Sequence, residues 1–193
     1  MMVLRQSPGA NIPQESFEAM EKGRVVLRDG REVEFELSAF TFIGDMHIRS
    51  VFDGSDFLAG AEPQDHANLG WTPEQALRKA MANIKRVYGN PTTSSWINGV
   101  MRVRAISPEY VSSYFLDRAF WRKLLETHPE GLVVGAPTRD NLLYVPASNG
   151  MGVNQLRGRV DHLHWAKEQS RVSSALYLFK GDRWTVFQAP QPQ

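Results

Sequence analysis

The chain contains no cysteine, which removes disulfide scaffolds, Cys-ligated zinc, iron–sulfur clusters and thiol nucleophiles together. Any metal site would have to use His and carboxylate ligands. An excess of one charge is missing too: 22 Lys+Arg stand against 21 Asp+Glu, a formal net charge of +1. No global field therefore draws the protein to nucleic acid or to an anionic membrane. No run approaches the ~20 apolar residues that cross a bilayer, and Met1 to Pro8 hold no apolar stretch of signal-peptide length. The expectation is a cytoplasmic protein with neither a membrane nor a nucleic-acid partner.

What is there suits one domain over residues 1–193, because 42% hydrophobic residues are enough to form a core. Ser7, Pro8, Gly9, Asn11 and Pro13 dominate the first segment, and Pro and Gln the last, which predicts flexible ends at about 1–14 and 189–193. Neither an internal repeat nor a low-complexity block lies between them.

Val33, Phe35 and Leu37 alternate with Glu32, Glu34 and Glu36, the period of a strand with one buried and one wet face. Asp29-Gly30 precedes them and Arg24 to Arg28 lie before that, so a hairpin follows. A two-residue turn would set Leu27 opposite Glu32 and Val25 opposite Glu34, mixing the faces. A three-residue loop of Arg28, Asp29 and a left-handed Gly30 pairs Val25 with Val33, Val26 with Glu32 and Arg24 with Glu34, and the faces agree. Phe40–Ile43 and Met46–Phe52 are two further short strands, with Asp53 to Asp56 as the next turn.

Thr72-Pro73-Glu74-Gln75 carries a capping-box pattern and opens a helix. Ala76, Leu77, Ala80, Met81, Ile84, Val87 and Tyr88 form its apolar stripe, and Gly89 before Asn90-Pro91 ends it. Val100–Ile106 is a strand candidate. Ser107-Pro108-Glu109 starts a second amphipathic helix, with Phe115, Leu116, Ala119, Phe120, Trp121 and Leu124, that stops before His128-Pro129. Leu132–Ala136 and Asn141–Val145 are buried strands joined by the turn Pro137 to Asp140. A third helix spans about Val153 to Ser170, and Ser174–Lys180 with Arg183–Gln188 closes the chain as a hairpin. Hairpins outnumber crossovers, so the fold class is α+β: a mostly antiparallel sheet with about three amphipathic helices.

Local catalytic signatures are incomplete. Ser148-Asn149-Gly150-Met151-Gly152 has the strand-to-helix setting of a phosphate loop, but Gln155 stands where the dinucleotide fingerprint needs glycine, and no Gly-Lys-Ser/Thr exists. His162 and His164 would share a strand face, yet on the expected helix they lie ~200° apart and diverge. His47, His66 and His128 are scattered. The pairs Ser94-Ser95, Ser112-Ser113 and Ser173-Ser174 lack a nucleophile elbow and read as caps or strand starts. Glu32, Glu34 and Glu36 read as a wet strand edge. The tryptophans Trp71, Trp96, Trp121, Trp165 and Trp184 are too dispersed for a stacking platform. No cofactor is implied.

Arg139-Asp140 is the most unusual polar pair, since it lies between two of the most apolar runs. Charges there must be paired or solvated at a sheet end. Asp140 can cap the turn's N–H groups and Arg139 can meet a distant carboxylate, a structural role. The other reading is an anion or peptide-carboxylate site that uses the arginine fork.

Ser112-Ser113, Leu116-Asp117, Phe120-Trp121, the run Val133 to Asp140 with Leu142-Leu143-Tyr144, and a hairpin ending near Arg183-Trp184 resemble the YtpQ-like family of uncharacterised bacterial proteins. The likeness covers the C-terminal half. Its most specific part is Pro137-x-Arg139-Asp140, and the helix with Ala76, Ala80 and Asn83 matches an upstream family helix only loosely. The resemblance implies a bacterial, cytosolic, mixed α/β domain and carries no activity with it. The leading expectation is a non-catalytic protein acting through protein–protein contact as an accessory or regulatory partner. The alternatives are a hydrolase or transferase with a dispersed site, and a binding module for a small anionic ligand near Arg139.

Overall fold

The computed structural model describes residues 1–27, 29–54 and 57–191. Two antiparallel sheets and flanking helices make an α+β fold. The first sheet holds β1 (Met2–Gln6), β2 (Ala19–Val26), β3 (Glu32–Thr41) and β4 (Met46–Asp53) in the order β1-β4-β3-β2, with β5 (Leu58–Gly60) also on β4. Helices α1 (Pro63–Leu69) and α2 (Pro73–Tyr88) lead to β6 (Thr92–Ile97) and β7 (Val100–Arg104). Then come α3 (Arg118–Leu125), β8 (Leu132–Thr138), β9 (Asn141–Pro146), α4 (Gly150–Ala166), β10 (Leu176–Lys180) and β11 (Arg183–Gln188). The second sheet runs β11-β10-β8-β9-β7-β6.

The parity argument for the first hairpin holds: Val25 pairs with Val33, Val26 with Glu32 and Arg24 with Glu34. Gly30 is left-handed at φ 83°, and Leu27 N–H reaches Arg31 O at 2.8 Å. Arg28, in that loop, and Ser55 and Asp56, in the next turn, lie outside the described residues. The two strands expected over Arg31–Leu37 and Phe40–Ile43 are one strand, β3, because small Ser38 and Ala39 are buried and continue the ladder.

The frayed end expected over residues 1–14 is corrected. Met2, Val3 and Leu4 are buried, and β1 pairs with β4 from Met2 opposite Ser50 to Gln6 opposite Met46. Three consecutive apolar residues bury enough surface to order the strand. Ile12 and Gly44 then exchange two backbone hydrogen bonds, at 2.9 and 2.7 Å. At the other end, Gln191 N–H donates to Ser174 Oγ at 2.9 Å; Pro192 and Gln193 lie outside the described residues.

Helix α2 starts as its cap predicts, with Gln75 N–H on Thr72 Oγ1 at 3.3 Å and Gln75 Oε1 accepting from Thr72 N–H at 2.9 Å. The continuous helix expected from Ser107 is broken instead into 3₁₀ turns, Pro108–Tyr110 and Ser112–Leu116, followed by α3. Every side chain of Ser112–Leu116 is buried, so no wet face exists for an amphipathic helix to present. Asp117 then caps a fresh start, accepting from Phe120 N–H at 3.3 Å. Helix α1 adds an element the sequence reading lacks. Helix α4 begins at Gly150 because Asn149 Oδ1 accepts from Gly152 N–H at 2.9 Å, and ends at Ala166, ahead of a 3₁₀ turn at Glu168–Ser170.

The second sheet is covered on both faces, which explains the unbroken apolar run of β8, all seven residues of which are buried. On one face Val100, Val133, Leu143 and Val145 meet Val153, Leu156 and Val160 of α4. On the other, Phe115, Trp121, Tyr144, Phe179 and Trp184 join a core that continues to Phe42 and Ile48 of the first sheet. Trp121 Nε1–H donates to Tyr114 O at 2.9 Å and to Phe115 O at 3.0 Å, so its polar edge is satisfied inside. Among the described residues no helix is long and apolar enough to cross a membrane.

Candidate functional site

Thr138 pairs with Asn141, so Arg139-Asp140 is a two-residue turn, tighter than the Pro137-to-Asp140 turn expected. The two charges part company there. Asp140 is held by Thr138 Oγ1 at 2.8 Å, Asn141 Nδ2 at 3.0 Å and Lys167 Nζ at 2.7 Å. Burial pushes its carboxyl up, but these donors outweigh it and hold it below the ordinary value. Asp140 thus ties the turn to the end of α4. The Arg139 backbone is stitched just as firmly, its N–H on Ser170 O at 3.0 Å and its carbonyl accepting from Ser112 N–H at 2.9 Å. Its guanidinium reaches forward, meeting the exposed Glu109 carboxylate at 3.1 Å.

Beyond Arg139 the fold brings together residues that sequence reading missed. Arg5 pairs with His47 and Val3 with Arg49, so Arg5, His47 and Arg49 share one face of the first sheet. Arg5 is close enough to Arg139 and Arg49 for their charges to interact, and Glu109 and Tyr110 lie near it. Burial, then repulsion from Arg139 and Arg49, lowers the Arg5 pKa to about 10. Burial, then Arg5 and Arg49, lowers His47 to about 4. The neutral His47 ring contacts Ser7 Oγ through Nδ1 at 2.8 Å. Two buried polar atoms in this corner, Arg49 Nε and Tyr110 Oη, meet no partner in full hydrogen-bond geometry, and the Tyr110 hydroxyl lies near the Asp53 carboxylate. Asp53, further along the same sheet face, takes the Tyr88 hydroxyl at 2.6 Å. The one local signal was the alternation Met46-His47-Ile48-Arg49, which puts two basic side chains on one strand face.

The remaining sequence candidates resolve as structure. Asn149 occupies Gly152 N–H, which a phosphate loop would need free. His162 and His164 both lie on α4; His164 is buried with Nδ1 at 3.3 Å from Pro137 O, and burial lowers its pKa. Among the described residues no group of three or more His, Asp or Glu side chains could hold a metal. Trp121 and Trp184 are core, whereas Trp71, Trp96 and Trp165 are about two-fifths exposed.

Ser173 instead enters a buried polar cluster. Its hydroxyl donates to Asp45 Oδ1 and lies 2.7 Å from Tyr177 Oη, while Gln6 Nε2 donates to Asp45 Oδ2 at 3.1 Å. Burial raises the Asp45 pKa against these donors. Ser173 is fully buried, closed to any substrate, and the cluster joins the loop before β4 to the segment before β10.

A different corner of the first sheet is open and apolar. Phe52, Leu69 and Trp71 are 52%, 50% and 40% exposed. Phe52, Leu69 and Trp71 ring a hollow of about 240 Å³ whose floor includes Met2, Ala76 and Ala80. Comparison with protein-family models, curated proteins and solved structures returns no significant match for this chain.

Proposed function

We propose that this is a non-catalytic protein that works by protein–protein contact, as an accessory or regulatory partner, and that its contact surface is the corner around Phe52, Leu69 and Trp71. The supporting observation is three large apolar side chains, Phe52, Leu69 and Trp71, each at least 40% exposed, gathered at one end of a sheet around a hollow of side-chain size. Scattered surface hydrophobes are ordinary, whereas a contiguous rimmed patch is the mark of an interaction site.

The occupant is an apolar segment of another protein, with a leucine or aromatic side chain filling the hollow. A stable interface between two folded copies takes roughly 20 to 30 residues a side, several times what this corner offers, so a short segment fits better than a second copy. The larger hollow between α2 and α3, about 640 Å³, is a weaker candidate because two of its rim cations are already paired, Lys85 with Asp117 at 2.7 Å and Arg122 with Asp182, outside the hollow, at 2.7 Å.

A photo-crosslinker placed at Leu69 and, as a control, at the more open but remote Met151 tests this in cells that make the protein. The expected result is one discrete heterologous adduct from position 69, lost when Phe52→Asp is added, and none from position 151. Adducts of equal pattern from both positions, or only self-adducts, would overturn the reading.

A further inference from the structure

We propose that Arg5, Arg49, Arg139 and Tyr110 form a binding site for an oxyanion, the phosphate or carboxylate group of a small ligand. The site lies apart from the apolar corner and does not depend on it. Arg5 on β1 lies within charge-interaction range of both Arg49 on β4 and Arg139 in the β8–β9 turn, and Arg5 and Arg49 share one sheet face. Among the described residues only Arg139 of the three has a carboxylate in salt-bridge range, and that partner, Glu109, is largely exposed. Arg5 donates to the carbonyl of its own neighbour, Leu4, at 2.9 Å. Partly desolvated cations without counter-ions are costly, and an anion bridging them removes that cost.

The unsatisfied donors give the site its shape. Arg49 Nε is sealed from water and has no acceptor, and the Tyr110 hydroxyl, on a residue only 2% exposed, meets no acceptor in full hydrogen-bond geometry, its nearest charged neighbour being the Asp53 carboxylate. Guanidinium forks match the planar oxygen pair of a carboxylate or two oxygens of a phosphate. Gly60 makes room for the fork: a Cβ there would stand 2.3 Å from Arg49 Nη2. Among the described residues the negative charges facing the corner are Glu109 and Asp53, and Asp53 accepts from the Tyr88 hydroxyl and also interacts with that of Tyr110. His47 adds no charge in its neutral form, and its ring lies close enough to Arg5 and Arg49 to report on them.

The experiment titrates the full chain with inorganic phosphate and, separately, with acetate at low salt, by calorimetry and by the His47 ring resonances. Saturable binding of either anion, with a rise in the His47 pKa as the guanidinium charge is offset, is expected; the stronger of the two names the ligand group. Arg49→Ala should weaken binding by about tenfold or more, and Tyr110→Phe by about threefold, the range of charged and neutral hydrogen bonds. Gly60→Ala should weaken it without unfolding the protein. Arg49→Ala should leave the melting temperature of the anion-free protein unchanged or higher, since it removes an uncompensated charge; a structural arginine would lower it. No binding of either anion at millimolar concentration, or unaltered binding by Arg49→Ala, would overturn the proposal.

Discussion

His47 makes folding stability depend on pH in a way that tests the electrostatics of the arginine corner. The fold accepts the ring only as neutral imidazole, so between the ordinary pKa of 6.5 and the native value of about 4 the native state binds fewer protons than the unfolded chain. The contribution is whole above pH 6.5 and is lost as pH falls toward 4. Each pH unit between the two values is worth about 1.4 kcal/mol, which sets a ceiling of roughly 3.5 kcal/mol; screening at a partly exposed ring brings the expectation to about 1 to 2 kcal/mol. The assay is urea unfolding of the wild type and His47→Gln at pH 7 and pH 4.5. Glutamine keeps a partner for Ser7 and cannot titrate, so the difference between the two proteins isolates the imidazole. The wild type should lose more stability than the variant on acidification. Parallel losses, or a His47 ring that titrates near 6.5, would refute the claim that desolvation and two adjacent guanidiniums hold it neutral.

Three further outcomes follow from the packing. Asp45 has the opposite sign: its raised native pKa means its contribution is present below its ordinary value of 3.8 and is lost as pH rises through the native value. Asp45→Asn should therefore gain stability relative to wild type between pH 4 and pH 7 in the same unfolding assay, and a pH-independent difference would contradict the assignment. Asp140→Ala strips the turn of its contacts with Thr138, Asn141 and Lys167 and should cost about 1 to 3 kcal/mol by chemical denaturation. Gly135→Ala would place a Cβ 2.3 Å from Val160 Cγ2; forcing α4 off the sheet should cost about 1 to 3 kcal/mol, read as a lowered melting temperature.

Legibility in the sequence followed the range of the interaction. Local rules sufficed for the first hairpin, where face parity alone chose the three-residue loop, and for the cap at Thr72. They also sufficed for the hairpin around Arg139-Asp140, where the apolar runs reflect a sheet covered on both faces. They failed where a distant partner decides. Met2–Leu4 is too short to announce a strand until β4 supplies its ladder, and Ser112–Leu116 keeps helical spacing yet is buried all round. The arginine corner draws on residues 5, 49, 110 and 139, and the Asp45–Ser173 contact spans 128 residues; no window of sequence contains either. Arg139-Asp140 was visible as an oddity, but one half proved to be an anchor and the other a member of a cluster, a division only the tertiary neighbours reveal.

The central claim is contact through the apolar corner, and calorimetric titration of the partner captured at position 69 tests it most directly. Association should show a negative heat-capacity change, as burial of apolar surface requires, and Trp71→Ala should weaken it by about tenfold or more while Met151→Ala leaves it unchanged. Equal affinity of the wild type and Trp71→Ala would contradict the account.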